Sequence, residues 1–144
     1  MRLVIIESPY AGDVEKNIHY ARRAMLDSLS RDEAPIASHL LYPQVLDDLI
    51  PGERQLGIEA GLAWRRVAEL SAFYVDLAWS RGMVAAKALL DREGRPYSIR
   101  ALDHDICEGC GGTGIIVAGR GWASAVCPPM NGCGGSGVRP RSKA

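Results

Sequence analysis

Apolar and polar positions in the first hundred residues switch repeatedly between a continuous run and a helical period. Leu3-Val4-Ile5-Ile6 is an unbroken apolar run rich in β-branched residues, the pattern of a strand buried on both faces. Ser8-Pro9-Tyr10-Ala11-Gly12 reads as a turn and Asp13 as a helix N-cap. Val14, Ile18, Ala21, Met25 and Leu29 recur at helical spacing, with Glu15, Lys16, Arg22, Arg23 and Asp27 elsewhere on the cylinder, which predicts an amphipathic helix over about residues 13–30. Ala34–Leu41 suits a second strand, and a loop with Asp47, Asp48, Pro51 and Gly52 follows. Leu56, Ala60, Ala63, Trp64 and Val67 restore the helical period, with Trp64 on the apolar face and expected in the core. Leu70–Leu77 reads as a third strand and Ala78–Gly82 as a turn. A third helix runs from Met83 to about Glu93, where Gly94-Arg95-Pro96 stops it before a short strand, Tyr97–Ala101.

Strands alternating with helices through short connections predict a small doubly wound, flavodoxin-like α/β fold, a parallel sheet of about four strands. Ligands of such sheets bind beyond the carboxyl ends of the strands, where strand order reverses. With order 2-1-3-4 that point lies between strands one and three. The loops meeting there are Ser8–Asp13 and Asp76–Gly82, flanked by His39 and the start of the second helix. Candidate ligand-binding residues are therefore Ser8, Pro9, Tyr10, Asp13, Asp76, Ser80, Gly82 and Met83.

Carboxylates at that edge are Glu7, Asp13, Glu53, Glu59 and Asp76. Glu59 is the catalytic candidate if its helix turns it to the cleft, and a solvated charge if not. Asp13 reads as a cap. Asp76 serves to orient a loop or to meet a ligand hydroxyl. His39 has the titration range of a general acid or base, and equally suits a strand end hydrogen-bonded to a loop. Tyr10 and Trp79 offer faces for stacking a base, or packing at the rim.

All four cysteines fall late in the chain, as Cys107-x2-Cys110 and Cys127-x5-Cys133, each pair trailed by glycines. Four thiolates satisfy a tetrahedral zinc ion with no open position, which makes the ion structural; two disulfides are the rival reading. Cys107-Glu-Gly-Cys110-Gly-Gly-Thr-Gly resembles the repeat of the DnaJ-type zinc domain, which implies a protein partner for the knuckle. The second pair departs from that repeat by its five intervening residues. Ile115-Ile116-Val117 and Trp122 suggest a zinc-ribbon-like β-hairpin with Gly119 and Gly121 near its tip. Gly109-x-Gly111-x-x-Gly114 and Gly132-x-Gly134-x-x-Gly137 match the dinucleotide fingerprint literally, but neither stands between a strand and a helix. The organisation expected is an α/β domain over residues 1–103, a knuckle over 104–138 and a basic tail over 139–144 carrying Arg139, Arg141 and Lys143.

Composition narrows the partners. The 144 residues are 47% apolar, enough for a core, and Lys+Arg 17 balance Asp+Glu 17. A neutral chain lacks the charge that drives binding to nucleic acid. The apolar run at the N-terminus stops at Glu7, short of a signal peptide or membrane span. The expected compartment is the cytoplasm, where cysteines bind metal more often than they form disulfides.

Ser8-Pro9-Tyr10 after strand one, Asp76 ending strand three and Ser80-Arg81-Gly82-Met83 opening the next helix resemble the nucleoside 2-deoxyribosyltransferase-like superfamily, most closely its uncharacterised small bacterial and phage members. The resemblance covers about residues 1–101. It implies a nucleoside- or nucleotide-type ligand and N-glycosidic chemistry, performed in the enzymes by a glutamate one turn into the third helix. Here that position holds Ala86, which can neither attack nor stabilise an oxocarbenium centre. Members of the superfamily often form homo-oligomers, and a neighbouring chain can supply the missing carboxylate. Three readings stand side by side: a ligand-binding domain without turnover, an N-glycosidic hydrolase or transferase using a relocated carboxylate such as Glu59, and a knuckle-bearing adaptor for protein or nucleic acid.

Overall fold

In a computed structural model the pattern becomes β1 (Arg2–Glu7), α1 (Val14–Ser30), β2 (Glu33–Ile36), α2 (Ser38–Leu41), α3 (Pro51–Val67), β3 (Leu70–Tyr74), α4 (Arg81–Glu93) and β4 (Tyr97–Arg100). The structure describes residues 1–108, 110–116, 125–127, 133 and 135–140. The four strands form one sheet, parallel as the alternating pattern requires and in the expected order β2-β1-β3-β4. Among the described residues no helix is long and apolar enough to cross a membrane.

Strand periodicity divides the core. Val4 and Ile6 of β1, with Ala72 and Tyr74 of β3, pack against Tyr20 and Ala24 of α1. Phe73, and Val75 just beyond β3, point to the opposite face, where they meet Met83, Ala86 and Leu90 of α4. Right-handed crossovers place α3 on that second face too.

Three sequence expectations are corrected. The second strand ends at Ile36, and Ser38–Leu41 winds into a helical turn, so His39 belongs to α2. The third strand ends at Tyr74, because the backbone turns at Ala78, whose φ is +69°. The long helices also face differently from their apolar stripes. In α1 the buried face is Asn17, Tyr20, Ala21, Ala24 and Ser28, while Val14 and Leu29 are exposed. Its inward polar groups are all bonded: Asn17 Nδ2 donates to the carbonyls of Tyr10 and Ala11 at 2.9 Å, and the Ser28 hydroxyl donates to Glu33. In α3 no residue is buried, and Trp64 is 44% exposed rather than in the core.

Two short antiparallel ladders follow the sheet. β5 (His104–Ile106) pairs with β8 (Val138–Pro140), and β6 (Ile115–Ile116) with β7 (Ala125–Val126). Val138 enters the second core cluster, so the cysteine segment is joined to the sheet domain by shared core. Arg139, assigned to a tail, lies within β8. Val117, Gly119, Gly121 and Trp122 of the expected hairpin lie outside the described residues, as do Gly109, Gly132, Gly134, Arg141 and Lys143.

Ile6 is 1% exposed and Leu26 68%. Ile6→Ala should cost about 2–5 kcal/mol in urea unfolding, and Leu26→Ala should stay within about 0.5 kcal/mol of the parent.

Candidate ligand cleft and metal centre

The first loop leaves β1 through buried Ser8 and Pro9. The Ser8 hydroxyl lies 2.8 Å from His39 Nε2, and the rings of Tyr10 and His39 meet edge-on with centroids 6.4 Å apart. Burial depresses His39 to about 4, so its ring is neutral at pH 7 and free to accept the Ser8 hydrogen. That state suits a hydrogen-bonding or basic role and removes it as a general acid at neutral pH.

Three adjoining cavities open here, and Tyr10 and Pro43 line all of them. One of about 120 Å³ runs between His39, Tyr42, Asp48, Glu53 and Arg54. A second of about 590 Å³ is bounded by Ile18, Arg22, Met25, Ile36 and Leu40, and a third of about 750 Å³ by Gly12, Val45, Asp47 and Leu49. The cleft thus lies on the β2 side of β1, walled by α2 and the start of α3. Tyr42, Asp48 and Arg54 were not among the sequence candidates, because strand two was carried to Leu41. Pro51 followed by Glu53 was the signal that α3 begins early enough to bring these residues to the edge.

The second expected loop is absent from the cavity walls and does structural work instead. Asp76, 1% exposed at its side chain, accepts hydrogen bonds from the Tyr20 hydroxyl, the amides of Leu102, Asp103 and His104, and the His104 ring, all within 2.9 Å. Burial alone would raise its pKa, but these donors outweigh it and hold the carboxyl at about 2. Ser80 caps α4 by accepting the Met83 amide, Met83 is core, and Gly82 lies near that cap. Asp13 caps α1 through the Lys16 amide. Ala86 is 6% exposed within the second core cluster, so this position faces the sheet rather than the cleft.

Glu59 is exposed, accepts a hydrogen bond from Gln55 and does not line the cleft; the helix turns it away. The carboxylates that do line the cavities are engaged locally. Glu53 accepts the Asp47 amide, Asp47 the Leu49 amide, and Asp48 pairs with Arg54 at 2.6 Å. Glu7 pairs with Arg65 at 2.7 Å; burial pushes its carboxyl up against the pull of that guanidinium.

The four cysteine sulfurs lie within 4.8 Å of one another. Cys107 and Cys127 Sγ are 3.8 Å apart, and Cys110 and Cys133 Sγ 3.5 Å. Four thiolates about 2.3 Å from a tetrahedral ion are separated by roughly 3.8 Å, whereas a disulfide requires about 2.05 Å. None of these four cysteines is in a disulfide, and together they can hold a metal ion. The two halves are built alike: the Gly114 amide donates to Cys110 Sγ at 3.2 Å and the Gly137 amide to Cys133 Sγ at 3.1 Å. Burial works to raise the Cys133 thiol, but the Gly137 amide and then Cys110 outweigh it and hold it at about 6. Burial raises Cys110, and against the lowering pull of the Cys133 amide, burial and the neighbouring thiols raise Cys127 to about 11, so one thiol of the group ionises ahead of these two. Trp79 anchors the knuckle to the sheet domain. Its ring packs on Phe73 with centroids 5.1 Å apart, and its Nε1 donates to the Gly112 carbonyl at 2.8 Å.

A family model described as a domain of unknown function (DUF7768) matches residues 2–100, β1 to the end of β4. No curated protein and no solved structure matches the chain.

The depressed Asp76 pKa fixes the sign of an acid effect. The group stabilises the fold above the ordinary carboxylate pKa, and that contribution is lost as pH falls toward about 2. Urea midpoints measured from pH 7 to pH 2 should show Asp76→Asn destabilised at neutral pH by about 1–3 kcal/mol, with the difference from the parent shrinking below pH 4.

Proposed function

The chain belongs to the DUF7768 family, and we propose that in it the sheet domain binds a nucleoside- or nucleotide-type ligand without turning it over, on a scaffold related to the nucleoside 2-deoxyribosyltransferases. The observation carrying this reading is the convergence of three cavities on Tyr10 at the carboxyl edge of the sheet. Two of them, at about 590 and 750 Å³, are in the usual range for small-molecule sites. Tyr10 offers a ring for a base, Tyr42 a hydroxyl for a sugar, and Arg22 a cation for phosphate.

Binding is favoured over catalysis by the state of the carboxylates. Cleavage of an N-glycosidic bond needs a carboxylate free to meet the anomeric carbon. Glu53, Asp47 and Asp48 are each committed to a nearby amide or guanidinium, Ala86 is in the core and Glu59 faces away. For the cysteine centre we infer structural zinc, held by Cys107, Cys110, Cys127 and Cys133. Four thiolates leave no position for water, so the ion contributes a cross-link and no chemistry. Its attachment through Trp79 and Val138 supports a stabilising role for the knuckle more than that of a free adaptor.

Calorimetry and chromatography on the folded, metal-loaded chain against ribonucleosides, deoxyribonucleosides, their phosphates and NAD test the ligand. Saturable binding of one class without release of free base is expected, weakened about tenfold or more by Tyr10→Ala. Absence of binding across the panel overturns the reading. Base release moves the protein to the enzymes, and Glu53→Gln then asks whether the carboxylate lining the cleft does the work.

Metal analysis of the reduced protein should give one equivalent of zinc per chain, lost in Cys133→Ser. A content well below one equivalent, or iron in its place, refutes the zinc assignment.

A further inference from the structure

A surface helix of a globular fold normally turns its apolar stripe inward. α3 turns it outward. The face towards α2 carries Gly61, so close that a Cβ there would lie 2.9 Å from the Ser38 hydroxyl, while one on Gly57 would meet Leu46 at an ordinary 3.4 Å. Glycines in a helix interior cost about 1 kcal/mol each relative to alanine, so this close approach is a specific demand of the fold. On the other side Leu56 and Val67 are 56% and 61% exposed. With Ala60 and exposed Ala63 they recur every three or four residues and form one stripe, bordered by Trp64. A continuous apolar stripe in water marks a contact surface.

We propose that this stripe is the interface of a two-fold homodimer in which two copies of α3 pack antiparallel. The stripe is complementary to itself. A two-fold axis crossing the helix between Ala60 and Ala63 sets Leu56 of each copy against Val67 of the other, and leaves the alanines at the centre, where backbones approach closest. Such an axis also brings like flanks together. On one flank stand Glu59 and Arg66, opposite in sign and two turns apart, so each Glu59 meets the other copy's Arg66, as flanking charges do in antiparallel helix pairs. A parallel pairing would set this flank against the opposite one, so Glu59 and Arg66 would not meet. Glu59 is otherwise engaged by the Gln55 amide, a bond that leaves its second oxygen available. Both residues are exposed. The proposal is independent of the ligand reading: it concerns the outer side of α3 and needs no small molecule.

The test is sedimentation velocity of the full, metal-loaded chain over a concentration series. The expected particle has twice the 15.6 kDa chain mass. Val67→Glu should give a monomer with unchanged circular dichroism, since the side chain is already in water in the isolated fold. Glu59→Arg and Arg66→Glu should each raise the dissociation constant at least tenfold, and the double variant E59R/R66E should recover most of the loss. A chain that stays monomeric at its highest attainable concentration overturns the proposal and leaves the stripe to a different protein. A dimer indifferent to Val67→Glu, or one in which the charge swap fails to recover, overturns it equally.

Discussion

A carboxylate removed from water is tolerated only if its lone pairs are met by other donors. Asp76 meets that demand with groups from two separate stretches: the Tyr20 hydroxyl of α1, and the successive amides of Leu102, Asp103 and His104 together with the His104 ring. The Tyr20 hydroxyl in turn accepts the Asp76 amide, so the link runs in both directions. This cluster fixes α1 to the end of β3 and sets the point at which the chain leaves β4 for the cysteine segment. The first core cluster contains Tyr20 and the second carries the knuckle's Val138, and Asp76 stands where the two parts of the molecule join.

That arrangement divides the labour of the two loops at the carboxyl edge. The loop after β3 is consumed by structure: its aspartate is saturated, its serine caps α4, and Trp79 reaches across to Gly112. The loop after β1 is held at Ser8 by His39, by Asn17 beneath the carbonyls of Tyr10 and Ala11, and at Asp13 by the α1 cap, while the Tyr10 ring faces open cavities. A site displaced towards β2 is what remains when one of the two loops at a switch point is taken by a docked knuckle.

Much of this was legible in the residues. The apolar runs of β1 and β3 and their alternation with helices carried the parallel sheet, because buried strands joined by right-handed crossovers leave few alternatives; the order 2-1-3-4 was an expectation that no residue pattern imposes. The cysteine spacing carried the four-thiol cluster. What was not legible was how the helices are turned. Hydrophobic periodicity assumes that the apolar side faces inward, and α1 departs from it because Asn17 and Ser28 find bonded places under the sheet edge. α3 departs because Gly61 lies against Ser38, where a Cβ would fall 2.9 Å from the serine hydroxyl. Trp64 was misplaced for that reason, Glu59 takes the solvated one of its two expected roles, and His39 was placed on a strand because Ala37 and Ser38 carry no strong signal for a helical turn.

The two glycine-trailed cysteine turns interlock through their main chains. A Cβ on Gly114 would fall 2.1 Å from the Gly135 carbonyl oxygen, and one on Gly137 would fall 2.1 Å from that of Gly112. The Cys127 amide donates to the Gly114 carbonyl and the Cys107 amide to that of Gly137. The mutual register of the halves is therefore set downstream of Cys110 and Cys133, glycine against glycine, and owes nothing to the number of residues separating the cysteines of a pair. The five-residue interval from Cys127 to Cys133 is thus a place where such a motif can lengthen over evolutionary time, while the trailing glycines remain closed to any side chain.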